Sequence, residues 1–281
     1  MTDFQSSGFI EASIDLEASL LGGQSFSWAK RGKFFRGIIR KVILEFQQEK
    51  NGFYWFSYNY DNTKFLEKII IDYLNLNFDL NEFSERNKED HVLQESLKNY
   101  YGLRILNQDP WECLISFICS AASNLNKITK NIQSIMKLGE NIGPDEIDYI
   151  FPFPEKILSL GEKNLRNLGL GFRAPYIIDA SQKVSEGIIN FDSLKTSSYE
   201  QSKNNLMTIS GVGEKIADCV LAFSLNFHNA FPVDRWVRRS LIINYGRSPK
   251  LNNHQLGNWA RKKFNNDGSY VQQYLFHRIK N

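Results

Sequence analysis

The spacing of hydrophobic residues divides the chain into two parts. Between residues 9 and 60, apolar and aromatic residues alternate with polar ones in short runs, such as 34–40, 42–46 and 53–58. This alternation is typical of β-strands with one buried face, so residues 1–80 are predicted to form an antiparallel β-rich domain. From Thr63 the apolar spacing becomes helical, and residues 81–281 are predicted to form a mostly helical region. The predicted fold class is α+β.

A charged stretch and a well-capped helix follow this change of spacing. Residues 82–90 are almost all polar and are predicted to form a loop or exposed turn. Asp109 can cap a helix, Pro110 fits the first helical position, and Glu112 can complete a capping box. The apolar run behind them is too short to span a membrane and predicts a buried helix.

Residues 206–225 predict a glycine turn that leads into a helix. Gly211 and Gly213 bracket the turn, and helical spacing begins at Glu214. A helix that begins in this way presents free N–H groups and a positive dipole end, which suit a phosphate. Lys215 lies in the first helical turn, where a cation is electrostatically unfavourable. Both a phosphate-binding lysine and a reactive amine would explain this position.

Two later segments complete the set of candidate sites. In residues 231–239, Asp234 precedes a predicted helix and suits its N-cap. Residues 268–279 predict a last helix, where Gln272 and Phe276 are four positions apart and share one face. For an isolated Gln and Phe, core packing would be an equally good explanation.

Composition and charge narrow the class of protein. Hydrophobic residues make up 42% and charged residues 23%, as in ordinary globular proteins. The net charge of +3 is uneven, because residues 201–281 carry 12 lysines and arginines against 4 acidic residues, a net of +8 that leaves −5 for the rest. This distribution fits either a polyanion-binding side or a solvated basic surface.

The cysteines and the chain start bear on the compartment. The three cysteines, Cys113, Cys119 and Cys219, lie in apolar runs without metal-type pairing and are predicted to be reduced. Residues 1–7 lack the basic start and apolar core of a signal peptide, and no apolar stretch reaches membrane-spanning length. We expect a protein of the cytoplasm, or of the nucleus in a eukaryote, with no metal site and no membrane partner.

The central segment resembles a known DNA repair signature. The hairpin Ile209-Ser-Gly-Val-Gly213, the lysine that follows it and Phe231-Pro-Val-Asp234 resemble the helix-hairpin-helix plus Gly/Pro/Asp (HhH-GPD) signature of base-excision DNA glycosylases. The likeness is greatest to the 8-oxoguanine DNA glycosylase/AP lyase branch, because the alkyladenine branch lacks the lysine. Other branches add four C-terminal cysteines for an iron–sulfur cluster, and the lack of cysteines after Cys219 excludes that cluster.

The resemblance implies two catalytic residues. Lys215 would attack the sugar C1′, since only an amine gives an iminium that acidifies the C2′ proton and allows strand cleavage. Asp234 would stabilise the oxocarbenium-like sugar and help to place the amine. The flipped base would be recognised by one group of residues, which is Gly23, Phe26, Cys219, Gln272 and Phe276. In the family the carbonyl that corresponds to Gly23 accepts N7–H of 8-oxoguanine, a hydrogen that guanine lacks.

The resemblance also implies a DNA-binding surface. Its predicted members are Asn124, Lys127, Phe172, Arg173, Gly211, Gly213, Ile216, Arg235 and Trp236. The family has three asparagines where this chain has Ala122-Ser123-Asn124, and an arginine where it has Lys127. Since lysine is a point donor and not a planar fork, strong selectivity for an opposite cytosine is in doubt. Carbonyls of residues 207–212 could bind a monovalent cation, and no other cofactor is expected.

The expected function is excision of 8-oxoguanine from duplex DNA by a monomeric enzyme, followed by β-elimination at the abasic site. Two alternatives stay open. The first is an alkylpurine or broader purine glycosylase. The second is a non-catalytic protein that uses the hairpin to bind duplex or abasic DNA.

Overall fold

A five-stranded antiparallel sheet forms the first part of the molecule. The computed structural model describes residues 4–280, so residues 1–3 and Asn281 of the predicted domains lie outside the described residues. The sheet order is β1-β5-β4-β3-β2, and the helix α1 (Leu16–Leu20) lies between β1 and β2. The strands are β1 Ser6–Glu11, β2 Ala29–Arg31, β3 Phe34–Ile39, β4 Val42–Glu49 and β5 Gly52–Ser57. The predicted α+β class with an N-terminal antiparallel sheet is confirmed.

One face of this sheet is covered by the helix α2 (Thr63–Tyr73), which begins at the residue where the hydrophobic spacing changes. Between the two layers, the Trp28 ring stacks on Phe46 at 5.1 Å, and its indole N–H donates to the Tyr73 hydroxyl at 2.7 Å. The sheet and α2 therefore share a single hydrophobic core.

The rest of the described chain is helical. Among residues 4–280, no helix is both long and apolar enough to cross a membrane. The bounds are α3 Leu80–Arg86, α4 His91–Asn99, α5 Pro110–Cys119, α6 Leu125–Met136, α7 Pro154–Leu165, α8 Ala174–Ser185, α9 Phe191–Thr196, α10 Tyr199–Leu206, α11 Glu214–Ser224, α12 Arg235–Tyr245, α13 Asn253–Phe264 and α14 Gly268–Lys280.

The predicted loop at residues 82–90 is wrong, because α3 occupies its first half. The Asp79 carboxylate caps this helix by accepting from the N–H groups of Asn81 and Glu82. Leu80 and Phe83 are buried on its inner face. An N-cap and two apolar residues one turn apart are enough to dock a short helix whose other positions are charged.

The predicted start of α5 is confirmed, but half of its capping box is missing. The Asp109 carboxylate accepts the Glu112 N–H at 3.0 Å, and Pro110 occupies the first turn. The Glu112 side chain does not return to the cap. Burial raises the pKa of this carboxyl to about 7, which the Ser27 side chain partly offsets by hydrogen bonding and the charge of Asp109 reinforces.

A loop near the N-terminus joins the two parts of the fold. In this pocket loop (residues 22–28), Phe26 packs into the core of the helical body, whereas Trp28 packs into the core under the sheet. Because its side chains enter both cores, the pocket loop is held at the boundary between sheet and helices.

Candidate active site and DNA interface

The predicted hairpin joins α10 to α11 through residues 207–213, the hairpin turn. Gly211 has a φ of +78°, and a Cβ there would lie 2.3 Å from the Tyr176 ring, so glycine is required. Gly213 forms the N-cap, and the first intrahelical bond runs from Ala217 N–H to the Gly213 carbonyl at 3.0 Å. The N–H groups of residues 214–216 precede that bond and are free of intrahelical partners.

The Lys215 side chain lies against α5. Its Nζ donates to Ser120 Oγ at 3.2 Å and lies 4.7 Å from the centre of the Phe117 ring. Ser120 can only accept here, because its hydroxyl proton goes to the Phe117 carbonyl at 2.6 Å. Sequence reasoning gave no role to Ser120 or Phe117, although both lie in a segment that resembles the family.

Cys219 lies one helical turn after Lys215 and is buried. Burial raises the pKa of its thiol to about 12, with the Lys215 charge lowering it and the charges of Asp218 and Asp234 raising it. The thiol is therefore protonated at neutral pH and is a weak donor toward the site. Lys215 and Val233, the residue before Asp234, line the same cavity, so the segments of the predicted amine and carboxylate lie close together.

Asp234 is the N-cap of α12. Its Oδ1 accepts the N–H groups of Trp236 at 2.9 Å and Val237 at 2.8 Å, so the residue is held in place by the helix that it begins. Among the described residues, Lys215 and Asp234 do not form an ion pair. The amine instead contacts Ser120 and the Phe117 ring, while the carboxylate caps α12.

The predicted base-recognition residues come together from the two ends of the chain. A Cβ on Gly23 would lie 3.5 Å from the Phe276 ring, and the φ of Gly23 is +98°. Phe26 meets the edge of Phe117 with ring centres 6.0 Å apart, and Phe117 is the ring beneath the Lys215 amine. Aromatic packing thus connects the pocket loop to the amine.

Gln272 occupies this region with an unsatisfied amide. Its side chain is 4% exposed, and Oε1 has no hydrogen-bond partner within residues 4–280. Leaving a buried carbonyl unpaired costs about 1–3 kcal/mol. Phe276, four residues further on the same helix, is 9% exposed. An unpaired acceptor beside an aromatic ring is a place where a ligand donor would be stabilised.

Sequence reasoning missed the residues that fix the pocket loop. Gln24 is buried, its Nε2 donates to the Arg104 carbonyl at 2.6 Å and to the Ser19 carbonyl at 2.9 Å, and its Oε1 accepts the Leu106 N–H at 2.9 Å. Gln108 Nε2 donates to the Gln24 carbonyl at 2.8 Å. The available signal was the position of Gln24 in the chain between Gly23 and Phe26, two predicted site residues.

The wedge loop (residues 168–173) carries two predicted DNA contacts that differ in exposure. Phe172 is 49% exposed. Arg173 is 3% exposed, because its guanidinium donates to the carbonyls of Ala121 and Ala122 and lies 4.5 Å from the Phe172 ring. Arg173 therefore orders the turn before α6, and its predicted contact with DNA stays a prediction.

The other predicted DNA-binding residues lie at helix starts. Asn124 caps α6 by accepting the Lys127 N–H at 3.0 Å, and both residues are exposed. Arg235 is exposed over the Trp236 ring at 4.8 Å. Ile216 needs a correction, because its side chain is buried in the core and only its backbone N–H is available to DNA.

Two carbonyls of the hairpin turn accept hydrogen bonds from within the protein. The Thr208 carbonyl accepts from Lys183 Nζ at 2.6 Å, and the Ile209 carbonyl accepts the Val212 N–H at 3.0 Å. Elsewhere within residues 4–280, no group of three or more His, Cys, Asp and Glu side chains could hold a metal ion.

Two family profiles cover most of the chain. The N-terminal domain of 8-oxoguanine DNA glycosylase matches residues 9–114, and the HhH-GPD superfamily of base excision DNA repair proteins matches residues 115–262. The sheet, the helical body and the hairpin with its lysine and aspartate therefore define a base excision DNA repair protein.

Individual relatives agree with this class. The N-glycosylase/DNA lyase OGG1 of Arabidopsis thaliana is 33% identical over 76% of this chain, which spans only 62% of the plant protein. A probable N-glycosylase/DNA lyase of Methanothermobacter thermautotrophicus is 32% identical over 75% of this chain and 74% of that protein. The Clostridium acetobutylicum 8-oxoguanine glycosylase/lyase, solved with double-stranded DNA containing cytosine opposite 8-oxoguanine, has a TM-score of 0.89, 29% identity and coverage of 99% of this chain and 98% of that chain. The chain belongs to the 8-oxoguanine DNA glycosylase family of the HhH-GPD superfamily.

Proposed function

We propose that this protein excises 8-oxoguanine from duplex DNA and then cleaves the strand at the abasic site. The observation that carries the proposal is the position of the Lys215 amine, which lies against Ser120 and Phe117 beside the Cys219 thiol and the Asp234 region. The target nucleotide must leave the base stack at a cost of a few kcal/mol, which exposed Phe172 would offset by filling the stack.

The reaction follows from an amine at C1′. The Lys215 nitrogen bonds to C1′ as the glycosidic bond breaks, and the base leaves with the bonding electrons and takes up a proton. After the new C–N bond loses one proton, the nitrogen lone pair breaks the bond between C1′ and O4′, O4′ takes up a proton, and C1′ becomes an iminium that keeps one N–H. Removal of a C2′ proton then expels the 3′ phosphate, and water releases Lys215. Asp234 would stabilise positive charge on the sugar as the base departs.

Discrimination of the lesion would rest on Gly23 and Gln272. A carbonyl at Gly23 accepts N7–H of 8-oxoguanine but repels N7 of guanine, which is itself an acceptor. The Gln272 Oε1, buried and unpaired within the described chain, would accept an N–H from the Watson–Crick edge. Phe276 would stack on the face of the base.

We expect weak discrimination among the bases opposite the lesion. The Arg173 guanidinium is engaged by the carbonyls of Ala121 and Ala122, and Lys127 offers a single charged donor without the planar fork of arginine. Single-turnover excision with each of the four bases opposite 8-oxoguanine measures this preference. Rates within about tenfold of one another are expected, and a preference for cytosine of a thousandfold would contradict the inference.

Borohydride trapping on an 8-oxoguanine duplex tests the main proposal. The wild-type protein is expected to form a covalent adduct, whereas Lys215→Gln should bind the duplex without reacting. Lys98→Gln, an exposed lysine on α4, is the matched control and should react like the wild type. An adduct with Lys215→Gln would overturn the amine assignment.

The same assay separates the two alternatives. Binding by the wild-type protein without any adduct would indicate a non-catalytic binder. Faster release of alkyladenine than of 8-oxoguanine would indicate an alkylpurine glycosylase. A DNA substrate would also place the protein with the chromosome, in the cytoplasm or in a eukaryotic nucleus.

A further inference from the structure

A second lysine is buried against the helix that carries Lys215. Lys203 lies on α10, and its side chain is only 9% exposed. Its Nζ donates to Glu214 Oε2 and to Asp218 Oδ2, at 3.2 Å in each case. Since Glu214 and Asp218 are four positions apart on α11, they share one face of the helix. Lys203 therefore neutralises the negative charge on that face.

Each of the two carboxylates has one further partner. The Tyr199 hydroxyl donates to Asp218 Oδ1 at 2.5 Å, and His254 Nδ1 of α13 lies 2.9 Å from Glu214 Oε1. Burial raises the pKa of Asp218, and the charge of Lys203 is the strongest influence against this rise. Burial also acts on Glu214, but hydrogen bonding with His254 and the charge of Lys203 hold its pKa below the ordinary value. Lys203 is thus a cation that both carboxylates share.

This buried ion pair lies close to the proposed nucleophile. Lys203, Asp218 and Lys215 line the same cavity, which has a volume of about 320 Å³. Lys215 and Asp218 are three positions apart on α11, a spacing at which side chains of opposite charge commonly pair. The Lys215 amine instead contacts α5, and the Asp218 carboxylate is taken up by Lys203. The position of Lys203 therefore bears on which partner Lys215 has.

Charged and titratable groups surround the amine on several elements. The charged and titratable residues that line the cavity with Lys215 are Lys203 of α10, Glu214 and Asp218 of α11, and His254 and Arg261 of α13. Arg261 pairs with Glu200, and the Asp234 carboxylate accepts N–H groups of α12. The Cys219 thiol keeps its proton at neutral pH, because burial raises its pKa to about 12. Asp218 is the carboxylate that helical spacing places beside the amine.

We propose that Lys203 is a positioning residue that holds the Asp218 carboxylate away from the Lys215 amine and so keeps this amine available as the nucleophile. An ammonium group that pairs with a carboxylate keeps its proton to higher pH, and it has no lone pair for attack on C1′. Lys203 competes for the carboxylate as a second ammonium on a neighbouring helix. The inference rests on the proposed function, because it takes Lys215 as the nucleophile.

Lys203→Gln tests the proposal through the pH dependence of adduct formation. The protein is mixed with a duplex that carries a preformed abasic site, and the initial rate of trapping by cyanoborohydride is measured from pH 6 to pH 9. The variant should reach half of its maximal rate about one pH unit above the wild type, and it should react about tenfold more slowly at pH 7. A purely structural role would lower the rate by one factor at every pH. An unchanged midpoint would therefore overturn the proposal.

Further variants separate capture of the carboxylate from other effects of the lost charge. Lys203→Gln/Asp218→Asn removes both members of the pair, and its midpoint should return to the wild-type value. Lys203→Arg keeps the charge and should also behave like the wild type. Lys98→Gln, at an exposed lysine of α4, is the control for the loss of one positive charge. A midpoint that stays raised in the double variant would overturn the proposal, because another group would then hold the proton on Lys215.

Labelling of the free wild-type protein covers the case in which Lys203→Gln does not fold. Lysines are acetylated with a trace of acetic anhydride over the same pH range, and each site is quantified by mass spectrometry. The midpoint of labelling should lie at lower pH for Lys215 than for Lys203, because Lys203 must stay charged while the amine reacts. The reverse order would overturn the proposal without the use of DNA. A wild-type protein that forms no adduct on the abasic duplex would instead overturn the proposed function.

Discussion

The pocket loop and the wedge loop reach the same predicted duplex but are built in opposite ways. The pocket loop is buried, and its backbone is tied to distant segments by Gln24 and Gln108. The wedge loop is an irregular turn, with π-type turns over Arg166–Leu170 and a 3-10 turn over Gly171–Arg173, and it exposes Phe172 to solvent. One loop is fixed before DNA arrives, and the other presents its side chain to solvent.

This difference suits the role proposed for each loop, which is base recognition for the pocket loop and filling of the base stack for the wedge loop. Telling one base from another requires hydrogen-bonding groups held in place, because misplaced groups lose selectivity as well as affinity. Filling a gap in the base stack requires an aromatic face and tolerates many geometries. Changes in the pocket loop should therefore affect both stability and excision, whereas changes in the wedge loop should affect excision alone.

The strongest test of the comparison is Gln24→Ala. It leaves the carbonyls of Ser19 and Arg104 and the N–H of Leu106 without partners, so we expect the free energy of unfolding to fall by about 3 kcal/mol. Excision should fall about a hundredfold or more, because Gly23 loses its fixed position. Urea denaturation and single-turnover excision measure the two effects, with exposed Gln182→Ala as the control. Normal excision by Gln24→Ala would break the comparison.

Gln272→Leu should separate function from stability at the pocket. Replacing a buried amide whose Oε1 is unpaired removes an unmet polar group, so the melting temperature should stay the same or rise by a few degrees. Excision of 8-oxoguanine should fall about thirtyfold, as a donor of the base loses its acceptor. Gln273→Leu is the matched control, since this neighbour is equally buried but bonds within the protein. A lower melting temperature for Gln272→Leu would argue for a packing role instead.

Phe172→Ala should reduce excision about tenfold, which corresponds to the lower end of the free energy range for losing one stacking contact with a base. Its melting temperature should remain unchanged, because the ring is half exposed and packs mainly on Arg173 and Tyr176. The exposed Phe153→Ala, outside the wedge loop, is the control and should change neither quantity. If Phe172→Ala lowered the stability of the fold as much as Gln24→Ala, the distinction between the two loops would be wrong.

The smallest effect concerns Glu112, whose carboxyl interacts with Ser27 of the pocket loop and has a pKa of about 7 against an ordinary 4.5. The unfolded chain releases this proton at lower pH than the folded one, so stability falls as pH rises from about 4.5 to 7 and then levels off. Glu112→Gln removes this decline, so the stability of this variant relative to the wild type should rise as the pH increases over that window. Denaturation at pH 5 and pH 8 measures the free energy of unfolding of the variant and of the wild type. The same difference between the two proteins at both pH values would contradict the prediction.

Local sequence signals predicted helix starts well. Asp109 and Asp234 cap their helices as their residue types indicate, and α11 begins at Glu214 directly after the glycine turn. The catalytic pair and the base-recognition group came from resemblance and not from spacing, and their roles stay predictions. Capping depends on neighbours within three residues, which is why sequence alone can locate it.

Features that depend on distant segments escaped prediction. The burial of Arg173 needs the carbonyls of Ala121 and Ala122, and the anchoring of Gln24 needs residues near 104–108. The hydrogen bond from Lys183 to the Thr208 carbonyl likewise joins α8 to the hairpin turn, which the hydrophobic pattern treats separately. No local pattern encodes such pairings, because each partner looks like an ordinary surface residue in its own segment.

The pocket loop places Phe26 in one hydrophobic core and Trp28 in the other. The residues proposed to select the damaged base therefore include some at the boundary between the sheet and the helical body. A protease cut between sheet and helical body would leave the amine, the hairpin and Gln272 on the same fragment. That fragment would lack Gly23 and would keep only part of the proposed base contacts. The proposed selection of 8-oxoguanine thus depends on how the sheet and the helical body pack together.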